Sequence, residues 1–396
     1  LKMTVGGDFK IGAPTGIGIT ISSSGNVDSI GIITATTFHG DGSNLSNITS
    51  TTINTNADNR VITGSDTANT LNGESSLTFD GSMLTVNGIS VGKGANSVVS
   101  NTVLGSGALD AAVTGTHNVT VGKDAGTEIT SGSSNAILGS EAGDNITTGS
   151  SNVAVGSEAL DGNTTASNNT AVGTMALQTS TTVSNQTAIG FQALRNSTTG
   201  TENTAVGYQT LLDNTTGDRN TSLGSYALEN NTTGDDNTAL GRNTLGTNTT
   251  GSNNTAVGRD ALDANTTASN NTAVGRDALG ANTTGAQNTA IGANASDATT
   301  TGTENTALGY TALGDNTTGG YNVALGSRTL SASSTASNNV AVGYGALSAD
   351  TTGYHNAALG TNALGYNTGG NLNTAVGSAA LARQTTAGSN TAVGYG

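Results

Sequence analysis

From residue 101 onward an aliphatic side chain recurs at every seventeenth position, always just before a glycine, from Leu104-Gly105 to Val393-Gly394. There are 18 such marker glycines, at 105, 122, 139 and onward to 394, with no insertion or deletion between them. With this glycine as position zero, minus one is Val, Ile or Leu in all 18 copies, and minus four is Asn in 17 of 18, Gln186 keeping the amide in the remaining one. Plus four is Leu in 14 of the 17 complete units, the others being Gly126, Gly143 and Ser296. Positions seven to ten usually read Asn-Thr-Thr-Gly, as in Asn214-Thr215-Thr216-Gly217, a turn composition. Surface loops tolerate changes of length, so the absence of drift gives each residue of the unit a fixed place.

Such a unit suits strands. Thr and Val lose rotamer freedom in helices and Gly costs about 1 kcal/mol there. Asn-Thr-Ala-Val-Gly puts Thr and Val on one side of a strand and Asn and Ala on the other. The pattern predicts one short strand ending at the marker glycine, a second around the plus-four Leu and a third near the Thr pair. The minus-one aliphatic is expected inside the coil with the plus-four Leu. The expected structural ladder therefore contains Asn203, Val206, Gly207, Leu211, Asn220, Gly224, Leu228, Asn254, Val257, Gly258 and Leu262. The fold predicted for 101–396 is all-β, a parallel β-solenoid (β-roll or β-helix) in which one seventeen-position unit makes one coil. At a strand spacing of about 4.7–4.9 Å, the coils stack into a rod roughly 85 Å long. Asn and Thr ladders would hydrogen-bond from coil to coil. So thin a coil is marginal alone, and association of several chains through the minus-two Ala column (Ala205, Ala239, Ala256) is expected to add the missing burial.

Residues 1–100 differ in kind and read as an irregular β-rich shaft segment. They carry short Gly-punctuated runs, Ile17–Ile21, Ile30–Thr36 and Leu77-Thr78-Phe79, with turns at Gly40–Asn44 and Asp80-Gly81-Ser82. The chain opens on Leu1 and closes on Tyr395-Gly396 just as a coil begins, the look of a piece of a longer polypeptide.

Composition sharpens this picture. With 58 Gly, one Pro, no Cys, 3% aromatic and 10% charged residues, the chain cannot fill an ordinary mixed core, yet it lacks the charge of a disordered tail. Its 27 acidic against 12 basic residues, net −15, disfavour nucleic acid. No apolar run is long enough to span a bilayer, and the N-terminus shows no signal-peptide core. From Gly105 on, charges fall at plus one, two, five, six, eleven or twelve, with Asp350 at plus seven the one exception. Aromatic residues follow the same rule, and Tyr208, Tyr226, Tyr310 and Tyr344 are the candidate surface contacts. The absence of Cys excludes disulfides and thiolate metal sites.

The units Asn-Thr-Ala-Val-Gly-Tyr-Gln-Thr-Leu-Leu-Asp-Asn-Thr-Thr-Gly (203–217) resemble the repeats of marine phage and bacterial tail-fibre-domain proteins. Over the shorter Ala-Val-Gly core they are similar to the heads of trimeric autotransporter adhesins. Upstream, 31–45 and 56–64 resemble segments of cyanophage structural and tail-fibre proteins. The resemblance implies a left-handed, homotrimeric solenoid shaft, although this coil is longer than that of the adhesin heads.

Candidate chemistry is sparse. His39, His117 and His355 each stand alone among turn residues, and Gly92-Lys93 and Gly122-Lys123 lack the spacing of a phosphate loop. Asp41 in its Gly-Asp-Gly-Ser turn reads as a turn residue, and the acidic residues form no calcium-binding column. Neither a catalytic, a metal nor a cofactor site is therefore expected. An active site needs one preorganised group of unlike residues, whereas a rung repeats the same ones. The leading expectation is a non-enzymatic trimeric spacer in a phage tail fibre or virion appendage, serving host attachment. Its partners would be itself, other virion or fibre proteins and host surface glycans, with no nucleic acid and no membrane insertion. The alternatives are a bacterial surface adhesin or extracellular filament, and an ice-binding solenoid in which Asn at plus seven and Thr at plus nine point outward together.

Overall fold

The computed structural model describes residues 60–64, 71–79 and 84–396. The runs Ile17–Ile21 and Ile30–Thr36, both glycine turns, His39 and Asp41 lie outside the described residues. Everything from Gly73 onward belongs to one compact unit.

Among the described residues four strands precede the repeats: β1 (Arg60–Gly64), β2 (Leu71–Phe79), β3 (Leu84–Val86) and β4 (Ile89–Gly92). The expected Leu77-Thr78-Phe79 strand forms the end of β2 and pairs antiparallel with β3, β3 with β4, and β4 with β5 (Thr102–Gly105). The Asn87-Gly88 turn joining β3 and β4 has both residues at positive φ, 48° and 84°, as a two-residue hairpin demands. Between β4 and β5 the Ala95 N–H donates to the Leu109 carbonyl at 3.2 Å, so this connection lies over the first coil.

From β5 each strand pairs parallel with its copy one period later, ending at β22 (Thr391–Val393). Register is unbroken: in β11 (Thr204–Val206) and β12 (Thr221–Leu223), Thr204 faces Thr221 and Val206 faces Leu223. The fold is thus the predicted parallel β-solenoid, with one sequence unit per coil.

Only one of the three expected strands is extended. After the marker glycine the chain runs through a continuous turn, and neither the plus-four segment nor the Thr pair forms a strand. The physical reason is the narrow cross-section: a short coil must reverse direction repeatedly, which extended backbone cannot do. Left-handed residues supply the bends at plus two, plus four and plus twelve, as at Gln209, Leu211 and Arg219 with φ of 48°, 53° and 55°. All 14 leucines at plus four have φ between 49° and 58°, a conformation costly for a branched residue and held here by its surroundings. Coil-to-coil backbone bonds continue through the turns, for example Leu211 N–H to the Ala227 carbonyl at 2.9 Å and Thr215 N–H to the Thr232 carbonyl at 3.0 Å.

The strand faces are alternated as expected, but with the opposite side inward. Asn at minus four and Ala at minus two are buried, whereas the minus-one aliphatic faces outward: Leu223 is 45% exposed and Leu308 46%. Val206 and Val257 are half-buried on the outer face, so their expected place in the core is corrected. The same finding removes Ala205, Ala239 and Ala256 from any contact between chains, since each is fully enclosed in its own coil. Two constraints explain the phase. The pleat ties minus two to minus four, and the Asn amide must face inward to reach the corner carbonyl; the slot left beside the plus-four Leu then takes a small side chain, Ala in most coils and Ser222 in one.

The exceptions confirm this volume argument. Where plus four is Gly126 or Gly143, plus seven becomes Ile129 or Ile146 and the intervening minus two becomes Ile137, all buried. A Cβ on either glycine would meet Ile side chains at about 3 Å, so the isoleucines occupy the space a Leu takes elsewhere. The marker glycine is required for another reason. From Gly105 to Gly377 an added Cβ would lie 2.0–2.8 Å from the carbonyl oxygen of the next marker glycine, in addition to φ values of 124–151°.

Candidate functional site

Two columns of buried amides run along the solenoid. At minus four, the Asn220 backbone N–H donates to Asn203 Oδ1 at 2.9 Å, and Asn220 Nδ2 donates to the Gly234 carbonyl of its own coil at 2.8 Å. Each Asn therefore ties one coil to the next and the strand to the opposite corner. Gln186 does the same work, its Nε2 donating to the Gly200 carbonyl at 2.7 Å. Asn254 repeats the pattern on Asn237 and Ala268.

At plus seven, Asn231 Nδ2 donates both to Asn214 Oδ1 at 2.8 Å and to the Gly234 carbonyl at 3.0 Å. The corner carbonyl at plus ten thus accepts from both columns. This plus-seven column is where the ladder breaks. Of the seven buried side-chain atoms without a partner among the described residues, six belong to it: Ser180 Oγ, Ser197 Oγ, Asn282 Oδ1, Asn316 Oδ1, Ser333 Oγ and Asp350 Oδ2. Serine is too short to reach the corner carbonyl, and Asn282 and Asn316 each precede a coil in which Thr299 or Ser333 replaces the donating amide.

Asp350, the charge that broke the sequence rule, is fully buried in this column. Its Oδ1 accepts the Gly353 N–H at 2.8 Å, as the oxygens of Asn163 and Asn367 accept theirs, while Oδ2 has no partner. Burial pushes its carboxyl up to about 6. From Gly105 onward the other charged residues are exposed or half-buried, as their positions predicted. Arg219 grips Asp236 of the next coil with two bonds, Nε–Oδ1 at 2.7 Å and Nη2–Oδ2 at 2.9 Å, which holds that carboxyl below its ordinary range.

The plus-three column was not singled out by the sequence reading, although Ala there in 14 of 17 units and Thr in three is a signal of the same kind. The three threonines are buried and hydrogen-bonded: Thr244 donates to the Gly258 carbonyl and Thr329 to the Gly343 carbonyl, both at 2.7 Å, while Thr210 lies 2.6 Å from the Ser222 hydroxyl.

Tyr208, Tyr310 and Tyr344 are exposed and Tyr226 is half-buried. The coil repeat brings Phe191 onto Tyr208 in a stack and Tyr226 edge-on to Tyr208, both with ring centroids 5.3 Å apart. Tyr310 and Tyr344 do not join this run. His117 and His355 are exposed turn residues, His117 Nδ1 lying 3.0 Å from the Thr116 hydroxyl.

Asp260, Asp263, Asp277, Asn294 and Asp297 line an open groove of about 400 Å³. Burial, then the neighbouring Asp260, raises Asp263, and burial raises Asp297. Among the described residues no three His, Cys, Asp or Glu side chains converge as metal ligands, and no helix is long and apolar enough to cross a membrane. The face imagined for ice binding does not exist as drawn. Asn at plus seven points into the coil, as at Asn214, while Thr216 at plus nine points out. Comparison of the chain with protein-family models, with curated proteins and with solved structures returns no match.

Proposed function

We propose that the chain is a non-enzymatic structural spacer, the shaft of a phage tail fibre or virion appendage, in which three copies hold a host-attachment element away from the particle. The observation that carries this reading is the repetition of one interior: 18 parallel strands in unbroken register, with an amide column at minus four in every coil and Ala and Leu columns broken at only a few coils. Such repetition builds length and stiffness and leaves no group of unlike residues to act on a substrate. The phage owner is supported by the resemblance of 31–45 and 56–64 to cyanophage structural proteins, and its location would then be the virion.

One observation favours a second reading, a bacterial surface adhesin. The Phe191, Tyr208 and Tyr226 run offers ring faces and hydroxyls of the kind that contact glycans. Immunogold labelling with an antibody to the chain separates the two owners, decorating virion appendages in one case and the cell envelope in the other. In negative-stain electron micrographs the purified protein is expected as straight rods of about 80 Å, from a rise of about 4.8 Å per coil. Compact or bent particles would contradict the spacer.

A further inference from the structure

The outer face of the strands is unlike the rest of the surface. Minus one contributes Val, Ile or Leu in every coil, and minus three contributes Thr, Val or Ala. No Asp, Glu, Lys or Arg occurs within any strand from β5 to β22. None of the aliphatic column is buried: nine of its 18 side chains are exposed, among them Leu104 43%, Leu138 49%, Leu240 42%, Leu308 46% and Leu359 50%, and the other nine, Val206 and Val257 among them, are half-buried. Eighteen such side chains present on the order of 1,000 Å² of apolar surface, more than the largest patch of an ordinary monomer and about what each partner gives to a stable interface.

We infer that this face is where a second copy of the chain packs, aliphatic column against aliphatic column. The inference rests on the self-associating spacer proposed above and moves its interface from the Ala column to the minus-one column. Three observations select the occupant. A partner meeting the stripe end to end must present side chains at the same coil spacing, and the chain itself does so. The net charge of −15 opposes approach of two copies, and the strand face is the surface on which no carboxylate meets another. The exposed area reaches that of a stable interface without further elements. A ladder already in register also offers one translational match per coil, so copies aligned side by side bury every rung at once.

Light scattering on the full chain, wild type and with Val206, Val257, Leu308 and Leu359 all replaced by Lys, tests this. The expected result is a mass that is a multiple of 38.6 kDa for the wild type and 38.6 kDa for the variant, with unchanged circular dichroism. A wild type at 38.6 kDa at tens of micromolar overturns both the inference and the self-association it rests on. A variant that still assembles overturns the inference alone. Should the variant misfold, thiol labelling decides. The chain has no Cys, so Leu308→Cys and Thr318→Cys place single thiols on different sides of one coil, both exposed in the single chain. At least tenfold slower labelling at position 308, lost on dilution to the monomer, supports the interface. Equal rates overturn it.

Discussion

At the scale of single residues, Asp350 is a built-in measure of how tightly the plus-seven column is sealed. Asn163 and Asn367 there each close a ring with the corner residue, accepting its N–H and donating to its carbonyl. An ionised Asp keeps only the first bond and sets Oδ2 against the second acceptor, whereas a protonated Asp restores both. The folded carboxyl titrates at about 6, above the ordinary value near 4. Between these pH values the folded state therefore holds more protons than the unfolded one, so stability falls as pH rises from about 4 to 6 and is level above. Asp350→Asn should remove this residue's share of the slope, leaving a shallower profile, and stabilise the protein at pH 7 by on the order of 2 kcal/mol. Melting curves from pH 4 to 7.5 for both proteins check this, and parallel profiles would sink it. The sequence marked Asp350 as anomalous, but the period alone did not say that plus seven lies inside the coil, where Asn214 and Asp350 are both buried. The amide at minus four was legible, because Gln186 preserved the one group that can bridge the coil. That Val206 faces outward is not legible from alternation, which defines two faces without saying which is inside; side-chain volume decides it, as Ile137 between Gly126 and Gly143 shows.

At the scale of the coil, the period was plain and the dihedrals were not. Leu is a poor choice for left-handed backbone, so nothing in its chemistry announced that Leu211 or Leu262 would bend the chain at φ of 53° and 52° rather than extend it. Tertiary enclosure overrides local preference there. This makes the coil an all-or-none element, with an exact residue count but no tolerance inside it. Inserting one residue between Thr215 and Thr216 should displace the plus-seven amide and the corner carbonyl from both columns and lower the melting temperature by several degrees. Deleting residues 225–241, one whole coil, rejoins Gly224 to Arg242 in the same phase and should leave the melt within a degree or two of wild type. Differential scanning calorimetry of the pair checks this, and the reverse order of effects would contradict the ladder.

At the scale of the whole molecule, electrostatics work against the rod. Burial raises Asp161, Asp263 and Asp297, and Glu229 likewise, with neighbouring carboxylates adding to each. Groups raised on folding destabilise the native state once ionised, so their unfavourable contribution is absent at low pH and complete above their folded values. The Arg219 and Asp236 pair has the opposite sign but stands against a majority of like charges. Adding sodium chloride at pH 7 should therefore raise the melting temperature by screening the carboxylates, and the same salt at pH 4 should have little effect. Thermal scans at both pH values check this; a salt-induced fall at pH 7 would mean that attractive pairs dominate.

Because every unit begins and ends in the same phase, a replication slip or an unequal crossover that gains or loses one unit of coding sequence leaves all remaining bonds intact. The length of the solenoid is consequently open to heritable change in whole coils, while an insertion or deletion of any other length shifts every column out of phase.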